Sequence, residues 1–126
     1  MTVLDLGCGK GGDLLKWERG NIEHIVCADI AATSIEHCKE RYSRLRREKG
    51  GRVFSAQFVA ADCTKVELSR MLERPDLKID LVSCQFALHY SFESLPQAEQ
   101  MLANITSNLQ PGGYFIGTTT DAYDIM

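Results

Sequence analysis

The chain has 126 residues, 44% hydrophobic and 25% charged, with a net charge of −3, the composition of one globular domain with a single core. No apolar run is long enough to cross a membrane and no cleavable targeting segment opens the sequence, so no membrane partner is expected. The five cysteines (Cys8, Cys27, Cys38, Cys63, Cys84) are odd in number and form no C-x-x-C pair, which argues against a disulfide framework or a zinc site and for a reducing compartment.

In chain order, strand and helix alternate. Val3 to Leu6 reads as the end of a buried strand, followed by a loop with four glycines in the six positions from Gly7 to Gly12. Leu14, Leu15 and Trp17 belong to a first helix that Gly20-Asn21 ends. Ile25 to Ala28 is a second buried strand closed by Asp29. Thr33-x-x-Glu36 has the pattern of a capping box, and Ile35, Cys38, Tyr42 and Leu45 form the buried stripe of the helix it opens, as far as Gly50-Gly51. Val53 to Ala60 is the third strand, with Asp62 beyond its end. Thr64-x-x-Glu67 predicts another capped helix with Val66, Leu68, Met71 and Leu72 behind it, closed by Pro75. Ile79 to Cys84 is the fourth strand, from which Gln85 to Tyr90 emerge. Ser94-x-x-Gln97 opens a helix with the stripe Ala98, Met101, Leu102, Ile105 and Leu109. Pro111-Gly112-Gly113 is a turn, and Tyr114 to Thr118 the fifth strand.

Five strands alternating with four three-turn helices predict an α/β fold, an open parallel sheet covered on both faces, occupying residues 1–126 as one domain. Ligands in such sheets sit beyond the carboxyl ends of the strands. Gly7, Gly9 and Gly12 satisfy G-x-G-x-x-G, a weak signal by itself for a loop that brings backbone close to a ligand. Asp5, just before it, would repel a pyrophosphate but suits the sulfonium and ammonium of S-adenosylmethionine. Asp29 stands about twenty residues past the first glycine, where an acid accepts from ribose hydroxyls, and Asp62 can accept from an adenine amine or cap the next helix. Between Lys39 and Arg52 seven basic residues face only Glu40 and Glu48; most read as a solvated helix face, with the near end suited to a polyanion.

These residues resemble a known family. Asp5-Leu6-Gly7-Cys8-Gly9-Lys10-Gly11-Gly12-Asp13 is similar to the first motif of class I S-adenosylmethionine-dependent methyltransferases. Together with Gln85-Phe86-Ala87-Leu88-His89-Tyr90-Ser91-Phe92-Glu93-Ser94 and Pro111 to Thr118, it resembles the eukaryotic mRNA cap guanine-N7 methyltransferases over essentially the whole chain. The resemblance implies a Rossmann-like fold with strand order 3-2-1-4-5. It implies an S-adenosylmethionine site lined by Asp5, Gly7, Gly9, Asp29, Asp62, Gln85 and Tyr90, yielding S-adenosylhomocysteine. Lys10, Lys16, Arg41 and His89 would face the 5′-capped RNA. It implies action in the nucleus, and an activating protein subunit is a further partner to consider. Members carry segments before the first strand and after the fifth, so the chain reads as a catalytic core truncated at both ends; Thr120 stands where the family commonly has proline.

The chemistry needs no metal and no catalytic acid or base. Guanine N7 carries an in-plane lone pair and attacks the sulfonium methyl directly, so catalysis rests on orientation, with His89 positioning the purine and Cys8 only a small loop residue. Three other readings share parts of the pattern. A dinucleotide-dependent oxidoreductase leaves Asp5 and Asp62 unexplained. A small-molecule N-methyltransferase shares the cofactor half but not the basic positions or the His-Tyr-Ser-Phe-Glu-Ser run. A non-catalytic cofactor-binding module would follow from truncation.

Overall fold

A computed structural model of the chain describes residues 1–8, 11–12, 14–63, 65–73, 77–85 and 95–118. Strands β1 (Thr2–Leu6), β2 (His24–Asp29), β3 (Ser55–Ala60), β4 (Ile79–Gln85) and β5 (Leu109–Thr118) form one sheet in the order 3-2-1-4-5. Every neighbouring pair is parallel. The central strands are buried on both faces and are continuous apolar runs for that reason. Val3, Ile25 and Cys27 face helices α1 (Leu14–Arg19) and α2 (Ala32–Glu48), packing with Leu14, Trp17, Cys38, Tyr42 and Leu45. Leu4, Leu6, Val26, Ala28, Val82 and Cys84 face the other way, against Leu68, Leu72 and helix α3 (Leu95–Asn108) through Met101 and Ile105.

The predicted stripe of α2 is the observed one: Ile35, Cys38, Tyr42 and Leu45 are buried. Tyr42 donates its hydroxyl to the Phe54 carbonyl at 2.6 Å and stacks on the Phe54 ring, pinning the approach to β3. At the end of α1 it is Asn21, with φ of 54°, that takes the left-handed conformation.

Four expectations need correction. The box at Thr33 does not form: α2 starts two residues earlier than that box implies, with Ala31 at its N-cap and no side-chain cap bond. Asp29 already fixes the entry, its Oδ1 accepting from the Ala31 amide at 2.9 Å. Between β3 and β4 there is no three-turn helix among the described residues, only a 3₁₀ turn at Leu68–Met71 whose leading Glu67 makes no side-chain cap bond; Val66 and Met71 are exposed. The buried Asn104 side chain of α3 replaces the helical bonding there. It accepts from the Leu68 amide and donates to the carbonyls of Cys63 and Val66. In α3, Leu102 is exposed while Asn104 and Asn108 are buried. Finally, α1 has only six residues.

The Pro111-Gly112-Gly113 turn lies within β5 as a bulge. Ile79 pairs with Leu109 and Leu81 with Tyr114, so β5 runs on five residues while β4 advances two. Tyr114, Phe115 and Ile116 on this edge strand are exposed. Thr64, Pro75 and Ser94 lie outside the described residues.

Candidate functional site

Register brings the functional candidates to one level. Leu6 pairs with Ala28 on one side and Cys84 on the other, and Asp29 pairs with Ala60. Gly7, Asp29, Asp62 and Gln85 therefore leave the sheet along its carboxyl edge, where a parallel sheet opens a crevice. Gly7 turns with φ of 74°, and the amides of Gly7 and Cys8 both donate to the Ala28 carbonyl, at 2.8 and 3.2 Å. The loop is thus folded back over the end of β2, with left-handed conformations at Gly7 and Gly11 that glycine adopts without strain.

Asp29 is half-buried, and its bond to the Ala31 amide aims the carboxylate at the start of the loop into α2. Beside it Ile30 is 69% exposed, a large apolar side chain left at the crevice mouth. Nothing in the sequence pattern singled Ile30 out; the signal is its exposure next to a strand-end acid. Asp62 is half-buried, with Lys65 Nζ 3.9 Å from its carboxylate. Its backbone carbonyl accepts from the Lys65 and Val66 amides.

Asp5 is only 4% exposed. It lies beneath the loop, and its Oδ2 accepts from Trp17 Nε1 at 3.4 Å. Lys16, exposed on α1, holds its Nζ 5.5 Å from the centre of the Trp17 ring, a cation–π contact. Lys16, Trp17 and Asp5 thus form a continuous chain from the surface to the central strand. Arg41 is exposed in the third turn of α2, well past the helix start, close enough to Cys38 to act on it electrostatically. Gln85 is described as the last residue of β4, without its side chain. Gly9, Lys10, His89 and Tyr90 lie outside the described residues.

The sequence pattern offered no metal-ligand cluster, but the fold brings three of the cysteines together. The sulfur atoms of Cys8, Cys27 and Cys38 all lie within 4.8 Å of one another. Their protons are shared unequally. Cys38 accepts from Cys27 and Cys8, and these bonds lower its pKa; Cys27 is raised by its bond with Cys38, its bond with Cys8 and burial. For Cys8 the bond with Cys27 pulls downward, but the bond with Cys38 and burial outweigh it. Cys63 and Cys84 pack as small buried residues in the opposite layer. No spacing rule could have found the trio, since its members come from a loop, a strand and a helix that only the tertiary fold brings together.

Comparison with known proteins follows the same lines. Residues 1–126 match the family described as mRNA (guanine-N(7))-methyltransferase domain. The chain is 49% identical over 130 residues to the mRNA cap guanine-N(7) methyltransferase of Drosophila melanogaster, covering 100% of this chain and 30% of that protein. It is 50% identical over 124 residues to the protein of the same name in Caenorhabditis elegans, covering 98% of this chain and 32% of that protein. It therefore spans about a third of the length of the curated relatives it matches. Among solved structures, an S-adenosylmethionine-dependent methyltransferase from Clostridium acetobutylicum superposes with a TM-score of 0.67 at 19% identity, over 92% of this chain and 41% of that one. One from Thiobacillus denitrificans, in complex with S-adenosylhomocysteine, gives 0.62 at 24% identity, over 92% and 40%. At such identities these structures speak for the fold.

Proposed function

Since the chain belongs to the mRNA (guanine-N(7))-methyltransferase domain family, we propose that it is the core of an enzyme that methylates N7 of the guanosine cap of mRNA, with S-adenosylmethionine as methyl donor. The observation that carries this reading is the match over residues 1–126, joined to a crevice whose carboxylates and glycine loop stand at one level.

The described residues suit the donor. A purine nucleoside needs an acid for its ribose hydroxyls, an apolar surface for its base and an acceptor for its amine, and Asp29, Ile30 and Asp62 follow two adjacent strands in that arrangement. Asp29 takes the ribose, Ile30 packs on the adenine face and Asp62 accepts from the adenine amine. Gly7 lets backbone approach and Asp5 lends negative charge beneath the loop to a cationic ligand, while Gly9, Gln85 and Tyr90 join the cofactor site on the family resemblance alone. S-adenosylmethionine supplies an electrophilic methyl group on a positively charged sulfur.

Protein residues then orient the nucleophile. Guanine N7 needs no deprotonation, so a general base has nothing to remove, and His89 acts by holding the purine in line with the methyl group. Lys10, Lys16 and Arg41 take the triphosphate of the cap, their long side chains reaching an anion that the net-negative chain otherwise repels. Attack by N7 would break the methyl–sulfur bond, releasing neutral S-adenosylhomocysteine and leaving the purine cationic, so that alignment rather than acid–base chemistry would lower the barrier. Capped RNA is the substrate, the nucleus is the place of action, and a protein subunit that activates the enzyme is a further partner.

The test is transfer of labelled methyl to capped RNA, compared with uncapped RNA and with free GTP, using this chain and a longer form containing it. Label on capped RNA alone is the expected result. Equal transfer to a small amine, or tight S-adenosylmethionine binding with no transfer by either form, overturns the reading.

A further inference from the structure

Directly beneath the glycine loop three thiols converge, and methyl transfer to a ring nitrogen has no use for them. Cys8 comes from the loop after β1, Cys27 from β2 and Cys38 from the buried stripe of α2, with all sulfurs within 4.8 Å of one another. We propose that Cys8, Cys27 and Cys38 are a binding site for a single soft d10 cation, Zn²⁺ or Cu⁺, held by three sulfurs under the loop.

Geometry supports the site. Three thiolates bound at about 2.3 Å around one ion stand roughly 4 Å apart, so closing this trio onto a cation takes movements of about an ångström or less. Two of the ligands are fixed in the core: Cys27 and Cys38 are fully buried, one on a central strand and one on a three-element apolar seam. Cys8 is half-buried and leaves a way in. Sulfur sets of this kind select Zn²⁺ and Cu⁺ over hard cations such as Mg²⁺. Binding displaces each thiol proton to water, and no oxidant or reductant takes part.

Ordinary packing of small apolar residues is the competing account, and the chain contains its own control. Cys63 and Cys84 are also buried but lie in the other layer of the core. What sets the trio apart, besides its convergence, is its place. A side-chain carbon built at Gly11 would stand 3.0 Å from the Cys38 sulfur, so the loop rests on that atom, and Cys8 belongs to the loop itself. An ion joining the three would tie the loop to β2 and α2. The site is independent of which methyl acceptor the enzyme uses.

The experiment titrates the reduced chain with Cd²⁺ alone, reading the thiolate-to-cadmium charge-transfer absorption, and counts bound Zn²⁺ by native mass spectrometry. One ion per chain is expected, with a thiolate band. Cys8→Ser should lose part of the band per ion and surrender Zn²⁺ to a chelator that the parent chain resists, while Cys63→Ala leaves both unchanged. Competition between Zn²⁺ and Cu⁺ under anaerobic reducing conditions then decides which ion is preferred. Absence of the band, a band indifferent to Cys8→Ser, or one lost in Cys63→Ala overturns the proposal. Should Cys8→Ser fail to fold, alkylation of Cys8 by iodoacetamide in the parent chain serves instead. Protection by Zn²⁺ supports the site, and unchanged alkylation refutes it.

Discussion

Replacing Asn104 by Ala should destabilise the protein by about 3–5 kcal/mol, although the residue touches no proposed ligand. Its side chain is buried. Oδ1 accepts from the Leu68 amide at 2.9 Å, and Nδ2 donates to the carbonyls of Cys63 and Val66 at 2.7 and 2.8 Å. Truncation leaves three backbone groups without this partner. Val66 is exposed and its carbonyl can turn to water, but Cys63 and Leu68 are buried. A buried polar group left unpaired costs about 1–3 kcal/mol, so two such groups and a small void give the stated figure. Against a typical total of about 5–15 kcal/mol, that is a large fraction. Asn104→Asp should do no better, because a carboxylate keeps the acceptor for Leu68 but offers no donor to either carbonyl. Urea unfolding followed by circular dichroism measures the loss. Because Asp62 adjoins Cys63, affinity for S-adenosylmethionine should fall as well. A loss below about 1 kcal/mol for both variants would mean that water replaces the amide, and the argument would be wrong.

Asp29→Ala should weaken S-adenosylmethionine binding by about 1–3 kcal/mol, the range for hydrogen bonds to a charged acceptor; an unchanged calorimetric dissociation constant in a folded variant removes Asp29 from the site. Alanine at Lys10, Lys16 or Arg41 should raise KM for capped RNA and flatten its salt dependence without altering cofactor affinity; normal binding at low and high salt marks these residues as merely solvated. Stability should fall on the alkaline side, because burial pushes Cys63 from 9.0 up to about 12 and Cys84 from 9.0 up to about 11. The unfolded chain gives up these protons first, so the contribution is complete below about pH 9 and is lost as pH rises through 11 and 12, and Cys63→Ala should shallow that decline in a pH series of melts. His89→Ala should impair use of capped RNA far more than S-adenosylmethionine binding, with no inflection near ~6.5 in the saturated rate; an inflection that disappears with His89 would make it a base.

Strands β1 to β4 and the long helix were legible because their determinants are local, whereas Leu109, read as the end of a helix stripe, opens β5 instead. Val3 to Leu6 and Ile25 to Ala28 are buried on both faces, so their apolar runs declare them, and the α2 stripe follows from one helix lying on one sheet. Asp29 and Asp62 were legible as site candidates because strand ends are. The segment after β3 was not. Thr64-x-x-Glu67 and the apolar residues behind it favour a helix locally, whereas Asn104, distant in sequence, supplies the hydrogen bonds that hold a shorter turn. At α2 the same competition ran between Thr33 and Asp29, and the acid at the strand end prevailed by bonding the Ala31 amide first. Convergence of the three thiols was equally invisible, since it depends on the loop, β2 and α2 meeting in space.

The two halves of the proposed site rest on different kinds of support. Cofactor candidates leave a sheet whose register fixes their level to within a residue, and Gly7, Asp29 and Asp62 are each held further by backbone bonds at the strand ends. Lys16 and Arg41 instead ride on exposed helix surfaces, where a long side chain keeps most of its freedom until an anion orders it. Trp17 joins the halves. Its ring lies under the Lys16 ammonium while its indole nitrogen donates to Asp5 in the central strand. Thus the aromatic that closes the core beneath α1 also limits where one substrate-facing charge can go. Such an arrangement suits the reaction proposed above, whose barrier is set by alignment: the rigid edge would fix the methyl donor, and the adaptable cations would draw in a flexible, highly charged acceptor.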